Sequence, residues 1–235
     1  MRGRPSTSCT SSWCISEESL RRYVVGASEK CIQELLLSSS DFDWKVLGTD
    51  EKGVEISKFR SPSLHIFRSR RQLNSVPHRN FITVANAIHA AKEWDPDLVE
   101  AKCIKHLDHN LSIIRLRFGE RAKPLFRNRD FIVYQRHETM DDGTLVVAVA
   151  SLPKEIALGL NPKHNNSIRG PLLQSGWVVE KLDHDSCMVT YIAQLDPAGW
   201  MPKCFVNRLN TKLVMIIENL KRQVLGCPTS GGTLL

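Results

Sequence analysis

The stretch that decides the fold is LDPAGWMPKCFVNRL, residues 195–209, which joins an alternating apolar run to an apolar run with helical spacing. Asp196 can accept backbone N–H groups of a turn, Pro197 fixes its own φ, and Gly199 permits a backbone conformation that other residues resist. Pro202 suits a first helical turn, where no N–H donor is needed. We therefore predict that a strand ends here and that a long helix begins at once, at an angle fixed by the joint.

The C-terminal side of this joint carries one broad apolar face over residues 202–224. The spacing of three and four residues between apolar positions predicts an amphipathic helix. These positions are Phe205, Val206, Leu209, Leu213, Ile216, Ile217 and Leu220. Such a helix needs an apolar partner surface, and the strands that precede it are the surface available.

The N-terminal side of the joint contains short apolar runs separated by polar turn sequences such as DHN, DDG and DHDS. Links this short favour antiparallel pairing, because parallel neighbours require a long crossover. The predicted strands are 44–47, 54–59, 64–68, 101–107, 112–118, 131–137, 145–151, 176–182 and 188–195. Helices are predicted before them, over 17–37, and after the third strand, over 80–95. The pattern indicates an α+β fold in which about nine antiparallel strands form a curled sheet covered by the C-terminal helix.

Composition is that of an ordinary globular protein, with 42% hydrophobic and 24% charged residues in a chain of 235. We expect one domain over residues 17–225, with a disordered N-terminal tail, 1–16, and a flexible C-terminal tail, 226–235. No stretch is apolar for long enough to span a bilayer. The formal net charge of +7 indicates attraction to anionic surfaces.

The seven cysteines are odd in number and lack a paired spacing, which argues against a disulfide framework and favours a reducing compartment. A cytoplasmic location is therefore expected. The tail over residues 1–16 is rich in Ser and Thr, contains two arginines and no acidic residue, and is also consistent with an organelle transit peptide.

Three further motifs give the chain a recognisable resemblance. Residues 175–213 contain the Gly-Trp strand, the joint and the opening of the last helix, and NRDF at 128–131 and SIRG at 167–170 lie upstream. This combination is similar to the START domain family, the steroidogenic-acute-regulatory-related lipid-transfer domains. The positions that match the family pattern around the joint are Asp196, Gly199, Trp200, Pro202, Lys203 and Asn207.

What the resemblance implies is a helix-grip fold, in which an antiparallel sheet wraps around the C-terminal helix and encloses a tunnel for one hydrophobic molecule. It implies a non-enzymatic protein with a bound lipid as ligand, no cofactor and no catalytic residue, which exchanges its ligand at membranes as a peripherally associated protein. Sterol, phospholipid, ceramide, fatty acyl chain and carotenoid remain open as ligands. The residues expected to line the tunnel are Ile114, Leu116, Phe118, Phe131, Val133, Gln135, Val147, Val149, Phe205, Leu209 and Leu213.

The chain departs from the family pattern at one pair of positions. Sterol-binding members share a buried carboxylate–guanidinium pair there. The corresponding positions here are Leu116 and Gln135, so the resemblance implies a neutral tunnel. Strand alternation places Gln135 on the same face as Phe131 and Val133. We predict that Gln135 anchors a hydroxyl or carbonyl group of the ligand, and the alternative is that it satisfies a neighbouring backbone group.

The segment FGERAKPLFRNRD, residues 118–130, corresponds to a loop that borders the tunnel mouth in the family. Leu125 and Phe126 lie between Lys123 and Arg127, which makes an apolar tip flanked by cations. A tip of this composition is suited to an anionic bilayer surface, and we predict that these four residues contact membranes. A loop packed on its own domain is the alternative.

Other function classes find less support in the sequence. An enzyme or a ligand-gated regulator on the same fold remains open, because a fold does not determine function. Nucleic-acid binding is not expected, since few aromatic residues accompany the arginines at 68–71. The segment CIKHLDH, residues 103–109, offers Cys103, His106 and His109, but residues three apart on a strand face opposite sides, and no metal site is predicted.

Overall fold

The computed structural model describes residues 15–40, 43–59, 65–95, 97–119, 128–161, 167–195 and 203–226. The helices are α1 (Glu17–Ser40), α2 (His78–Asn86), α3 (Ala91–Trp94), α4 (Lys154–Leu160) and α5 (Lys203–Gly226). The strands are β1 (Trp44–Thr49), β2 (Glu55–Phe59), β3 (His65–Leu73), β4 (Leu98–Asp108), β5 (Leu111–Phe118), β6 (Asn128–Thr139), β7 (Leu145–Ser151), β8 (Ser167–Arg169), β9 (Leu172–Lys181) and β10 (Cys187–Leu195).

Nine of these strands form one antiparallel sheet in the order β1-β2-β3-β10-β9-β7-β6-β5-β4, and β8 pairs parallel with β6. The chain crosses the sheet once, because β3 pairs with β10 instead of β4. The helical segment between β3 and β4 makes this crossing possible. The α+β architecture and the long antiparallel sheet predicted from the sequence are confirmed.

Helix α1 covers one face of the sheet, called here the α1 face. Its buried side chains Leu20, Val24 and Leu35 belong to the same core cluster as Ile113 of β5 and Val178 of β9. The glycine of the Gly-Trp motif permits this packing. A Cβ atom at Gly176 would lie 2.2 Å from the carbonyl oxygen of Val147 on β7 and 2.5 Å from Leu35 Cδ1, so any larger residue would clash with the neighbouring strand and with the helix.

Helix α5 packs on the opposite face, called here the α5 face. Ile216, Ile217 and Leu220 are buried in one cluster with Trp177 of β9 and Val189 of β10. Phe81 and Ala85 of α2 belong to the same cluster. An ion pair between Glu218 of α5 and Arg71 of β3 adds a polar contact. The predicted covering of the sheet by the C-terminal helix is therefore present.

The family motifs NRDF and SIRG contact each other in the structure, and these contacts explain the residue types in both motifs. Asp130 is completely buried and accepts hydrogen bonds from Arg115 Nε at 2.9 Å and Arg169 Nη2 at 2.7 Å. Gly170 follows Arg169, and a Cβ atom there would lie 2.8 Å from the ring of Phe131. The two motifs thus form one buried ion cluster and one close backbone approach that join β8 to β6.

The prediction of one continuous helix over 80–95 is wrong, because the structure divides this segment into shorter elements. Helix α2 ends at Asn86, a 3₁₀ turn spans Ile88–Ala90, and α3 follows. Ala87 has φ −73° and ψ 99°, an extended conformation that no helix interior contains. Helix α4 and strand β8 lie in a segment where no helix or strand is predicted from the sequence. Across the described ranges, no helix has both the length and the apolar character that a bilayer crossing requires.

Candidate functional site

Apolar residues of strands β5, β6 and β7 share the α5 face. Register places Ile114 beside Val133 and Leu116 beside Phe131, and the rings of Phe118 and Phe131 pack edge to face with centroids 5.6 Å apart. Val147 and Val149 continue the surface on β7. The structure therefore brings the predicted lining residues of these three strands onto one face. Their contact with a ligand remains a prediction.

The predicted lining residues of α5 are only partly described. Leu213 is buried against Phe67 of β3 and Ile56 of β2. The side chains of Phe205 and Leu209 lie outside the described part of the chain, as does the whole joint over 196–202, including Trp200. The predicted membrane tip, Lys123, Leu125, Phe126 and Arg127, also falls outside it.

Aromatic side chains form the centre of the α5 face. The ring of Trp177 packs against Phe81 of α2 at 5.5 Å, Trp94 of α3 at 6.2 Å and Tyr191 of β10 at 4.4 Å between centroids. Rings that meet edge to face or tilted, as these do, hold one another in fixed orientations. The cluster therefore provides a rigid apolar wall between the helical segment and the sheet.

A group of hydroxyls lies on the α5 face around Tyr191. The Ser175 hydroxyl lies 3.1 Å from the Tyr191 hydroxyl, and Ser69, which pairs with Tyr191 across β3 and β10, is completely buried. Ser69 Oγ has no hydrogen-bond partner among the described residues. A buried hydroxyl without a partner loses the hydrogen bonds that water would give it. This group of hydroxyls can bind one polar atom of a ligand.

An ion cluster lies next to the hydroxyl groups and connects α5 to the loop after α3. Lys212 Nζ is 3.1 Å from Asp95 Oδ1 and 3.4 Å from Asp97 Oδ2, and it lies 4.7 Å from the centroid of the Phe118 ring. Burial by itself would lower the pKa of Lys212, but the two carboxylates outweigh it and raise that pKa. Burial raises the pKa of Asp95 against the opposing effect of the Lys212 ammonium.

Gln135, the predicted ligand anchor, makes contacts with α2. Its amide nitrogen donates to the backbone oxygen of Asn86 at 2.9 Å and to Asn86 Oδ1 at 2.7 Å. Asn86 Nδ2 in turn lies 3.1 Å from His137 Nδ1. Burial lowers the pKa of His137, which favours the neutral ring in this network. The contact with the Asn86 backbone corresponds to the alternative reading of Gln135, while its anchoring of a ligand through the amide oxygen stays a prediction.

Changing Gln135 to Leu is expected to lower the free energy of unfolding by about 1–3 kcal/mol, because the last carbonyl of α2 loses its donor. Chemical denaturation of the purified protein measures this effect. Asn86→Ala, which keeps the Gln135 contact with the backbone oxygen, is the matched control and should cost less. Ligand affinity measured on Gln135→Leu decides the anchor role, and an unchanged affinity would remove it.

Sequence reasoning missed the ion cluster and the hydroxyl groups. The acids of WDPD are visible in the sequence, but their partner Lys212 lies more than a hundred residues further along the chain. Alternation along β10 places Tyr191 on the same face as Val189, which was a usable signal. The contact with Ser175 depends on the β9–β10 register, which only the structure supplies.

The fold and the motifs define a domain in which a long terminal helix closes one face of an antiparallel sheet. The family model for the START domain matches residues 26–225, and the chain therefore belongs to the START domain family.

Known proteins resemble this chain in sequence, and a solved structure resembles it in fold. Human START domain-containing protein 10 is 28% identical over 147 residues, which are 62% of this chain and 48% of that protein, so the chain spans about half the length of this relative. The mitochondrial steroidogenic acute regulatory protein of Bos taurus is 21% identical over 210 residues, 88% of this chain and 72% of that protein. The structure of human StAR-related lipid transfer protein 5 superposes with a TM-score of 0.75 at 18% identity, covering 87% of this chain and 98% of that one.

Proposed function

We propose that this chain binds a single hydrophobic lipid-like ligand between the α5 face of the sheet and helix α5, and that it carries or senses this ligand without altering it chemically. The observation that carries the proposal is the apolar surface of Ile114, Leu116, Phe118, Phe131 and Val133, which faces the side of the sheet that α5 covers. Each Å² of lipid that such a surface removes from water contributes about 25 cal/mol. Several hundred Å² of lipid surface buried in this way contributes enough free energy to offset the cost of association without any chemical step.

The polar groups beside this surface suit one end of the ligand. Tyr191, Ser175 and Ser69 offer hydroxyl groups that can both donate and accept hydrogen bonds. The adjoining ion cluster has two carboxylates for one ammonium group, which disfavours a negatively charged ligand group nearby. A ligand with a neutral hydroxyl or carbonyl group at one end fits this arrangement.

Filling the apolar surface tests the proposal. Leu116→Trp adds a large ring on the α5 face, and because overpacking costs about 1–3 kcal/mol, the affinity for the ligand should fall about fivefold or more, and ligand occupancy should fall with it. Native mass spectrometry of freshly purified protein measures occupancy, and lipid extraction identifies the ligand. Leu173→Trp, at an exposed position of β9, is the control and should retain wild-type occupancy. Equal occupancy in the two variants, or recovery of a chemically converted ligand, would contradict the proposal.

Exchange at membranes is the second part of the proposal. It is supported by the net charge of +7 and by the apolar tip of Leu125 and Phe126 between two cations. Salt screens attraction between a basic surface and anionic lipid. Sedimentation with vesicles containing phosphatidylserine tests this, in low and high salt, on the wild type and on a Leu125→Ser, Phe126→Ser variant. Binding that responds neither to salt nor to these substitutions would refute the membrane contact and leave lipid binding untouched.

A further inference from the structure

The edge strand β4 contains a cysteine and a histidine that touch. Strict alternation would place Cys103 and His106 on opposite faces of a strand. The register of β4 against β5 shifts between Cys103 and Lys105, which is a β-bulge, and residues on either side of a bulge change their facing. As a result, the Sγ atom of Cys103 lies 3.3 Å from Nε2 of His106.

The other ring nitrogen of His106 is held by a third side chain. His106 Nδ1 lies 2.9 Å from the hydroxyl of Ser112, which faces it across β4 and β5. When Nδ1–H donates a hydrogen bond to the Ser112 oxygen, Nε2 carries a lone pair that points at the thiol. A nucleophile beside a base, with the base oriented by a further group, is the arrangement that activates a thiol.

The accessibility of Cys103 differs from that of the two other cysteines whose side chains are described. Cys31 and Cys187 are buried, and burial raises the pKa of each thiol to about 11, so that neither forms a thiolate at neutral pH. Cys103 is partly exposed, and its base His106 is exposed. A small reagent in solution therefore reaches the Cys103–His106 pair and does not reach the other two thiols.

We propose that Cys103 is a reactive thiol that undergoes reversible exchange with low-molecular-weight disulfides, with His106 as its base. His106 Nε2 takes the thiol proton, and the Cys103 thiolate attacks one sulfur of the disulfide. The disulfide bond breaks, the leaving thiolate takes the proton from the His106 imidazolium, and a mixed disulfide remains on Cys103. Cys103 is oxidised, and half of the small disulfide is reduced to a free thiol, so the exchange balances.

A mixed disulfide on Cys103 would lie beside the proposed lipid-binding surface. Cys103 pairs in register with Ile114, and Ser112 pairs with Gln135, so the adduct lies on the α5 face at the edge of the apolar surface. The reactivity of Cys103 does not depend on the proposed lipid binding. The chemistry is therefore testable by itself.

Oxidised glutathione is the probe, with the rate of adduct formation on the Cys103 peptide read by mass spectrometry at neutral pH. We expect His106→Asn to slow adduct formation on the order of tenfold or more, because the thiol loses its base. His109→Asn is the matched control, since His109 lies in the following turn and contacts Asp108 instead. Ser112→Ala should slow the reaction less than His106→Asn, and reduction with dithiothreitol should remove the adduct.

Circular dichroism of each variant establishes that it is folded. If folded His106→Asn reacts as fast as His109→Asn, or if Cys103 of the wild type reacts no faster than the same cysteine in a synthetic peptide, His106 does not activate the thiol and the proposal is overturned. Cys103→Ser must remove the adduct at this peptide and leave other cysteine peptides unchanged.

Discussion

Replacing Asp130 by asparagine is expected to lower the free energy of unfolding by about 3–5 kcal/mol, since removal of one partner leaves a buried charge uncompensated. Asp130 is completely buried and forms ion pairs with two guanidinium groups, those of Arg115 and Arg169, whose side chains are 7% and 12% exposed. Asparagine has nearly the same shape, so the loss arises from charge and not from a cavity. Arg115 Nη2 already lacks a partner among the described residues, which leaves it no substitute acceptor there.

Denaturant titration of Asp130→Asn against wild type measures this loss. Asp141→Asn, at an exposed carboxyl in the turn between β6 and β7, is the control and should change stability by less than about 0.5 kcal/mol. Arg115→Met should cost less than Asp130→Asn, because Arg169 still neutralises the carboxylate. Equal effects of Asp130→Asn and Asp141→Asn would show that the cluster does not stabilise the fold.

The fold was predictable because local patterns and long-range motifs agreed. Alternation fixed most strands, helical spacing fixed α1 and α5, and the motifs around Asp130, Arg169 and Gly176 matched a family with that architecture. The structure gives physical reasons for these motif residues: a buried ion cluster for the first two, and a close approach of Leu35 for the glycine. Motifs of this kind are informative because each residue makes a specific contact that its charge or its size determines.

Other features were not predictable, and each has a physical cause. The local sequence does not predict the break of the helix at Ala87, because alanine is the best helix former. Its extended conformation arises from tertiary packing. The β-bulge that brings Cys103 to His106 is equally invisible, since it depends on pairing with β5. The contacts of Gln135 with Asn86 depend on how α2 lies on the sheet. Alternation predicts the face of a side chain and not its partner.

Replacing Lys212 by methionine is expected to lower the free energy of unfolding by about 3 kcal/mol at neutral pH, because Asp95 would stay buried without a cation. Asp95 is 5% exposed, and it forms with Lys212 one of the polar contacts between α5 and the loop after α3. Asp95→Asn alone leaves Lys212 with Asp97, so its effect should be smaller. The double variant should regain most of the loss, and a double-mutant cycle by denaturant titration measures the coupling.

The pH dependence of Lys212→Met distinguishes this electrostatic origin from lost packing. Burial raises the folded-state pKa of Asp95, so the folded protein binds this proton more readily than the unfolded chain does. The stability contributed by the protonated carboxyl is therefore lost as pH rises through the folded pKa. Without the Lys212 ammonium the pKa of Asp95 rises further, and the stability of the variant should lie closer to that of wild type at pH 4 than at pH 7.

In the wild type, the raised pKa of Lys212 makes stability depend on alkaline pH as well. The contribution of the ion pair is present below the unfolded value of 10.5 and is lost as pH rises through the folded pKa. Lys221→Met, on the same helix, supplies the control. A deficit that is equal at pH 4 and pH 7 would mean that Lys212 stabilises the domain through the packing of its methylene groups and not through its charge.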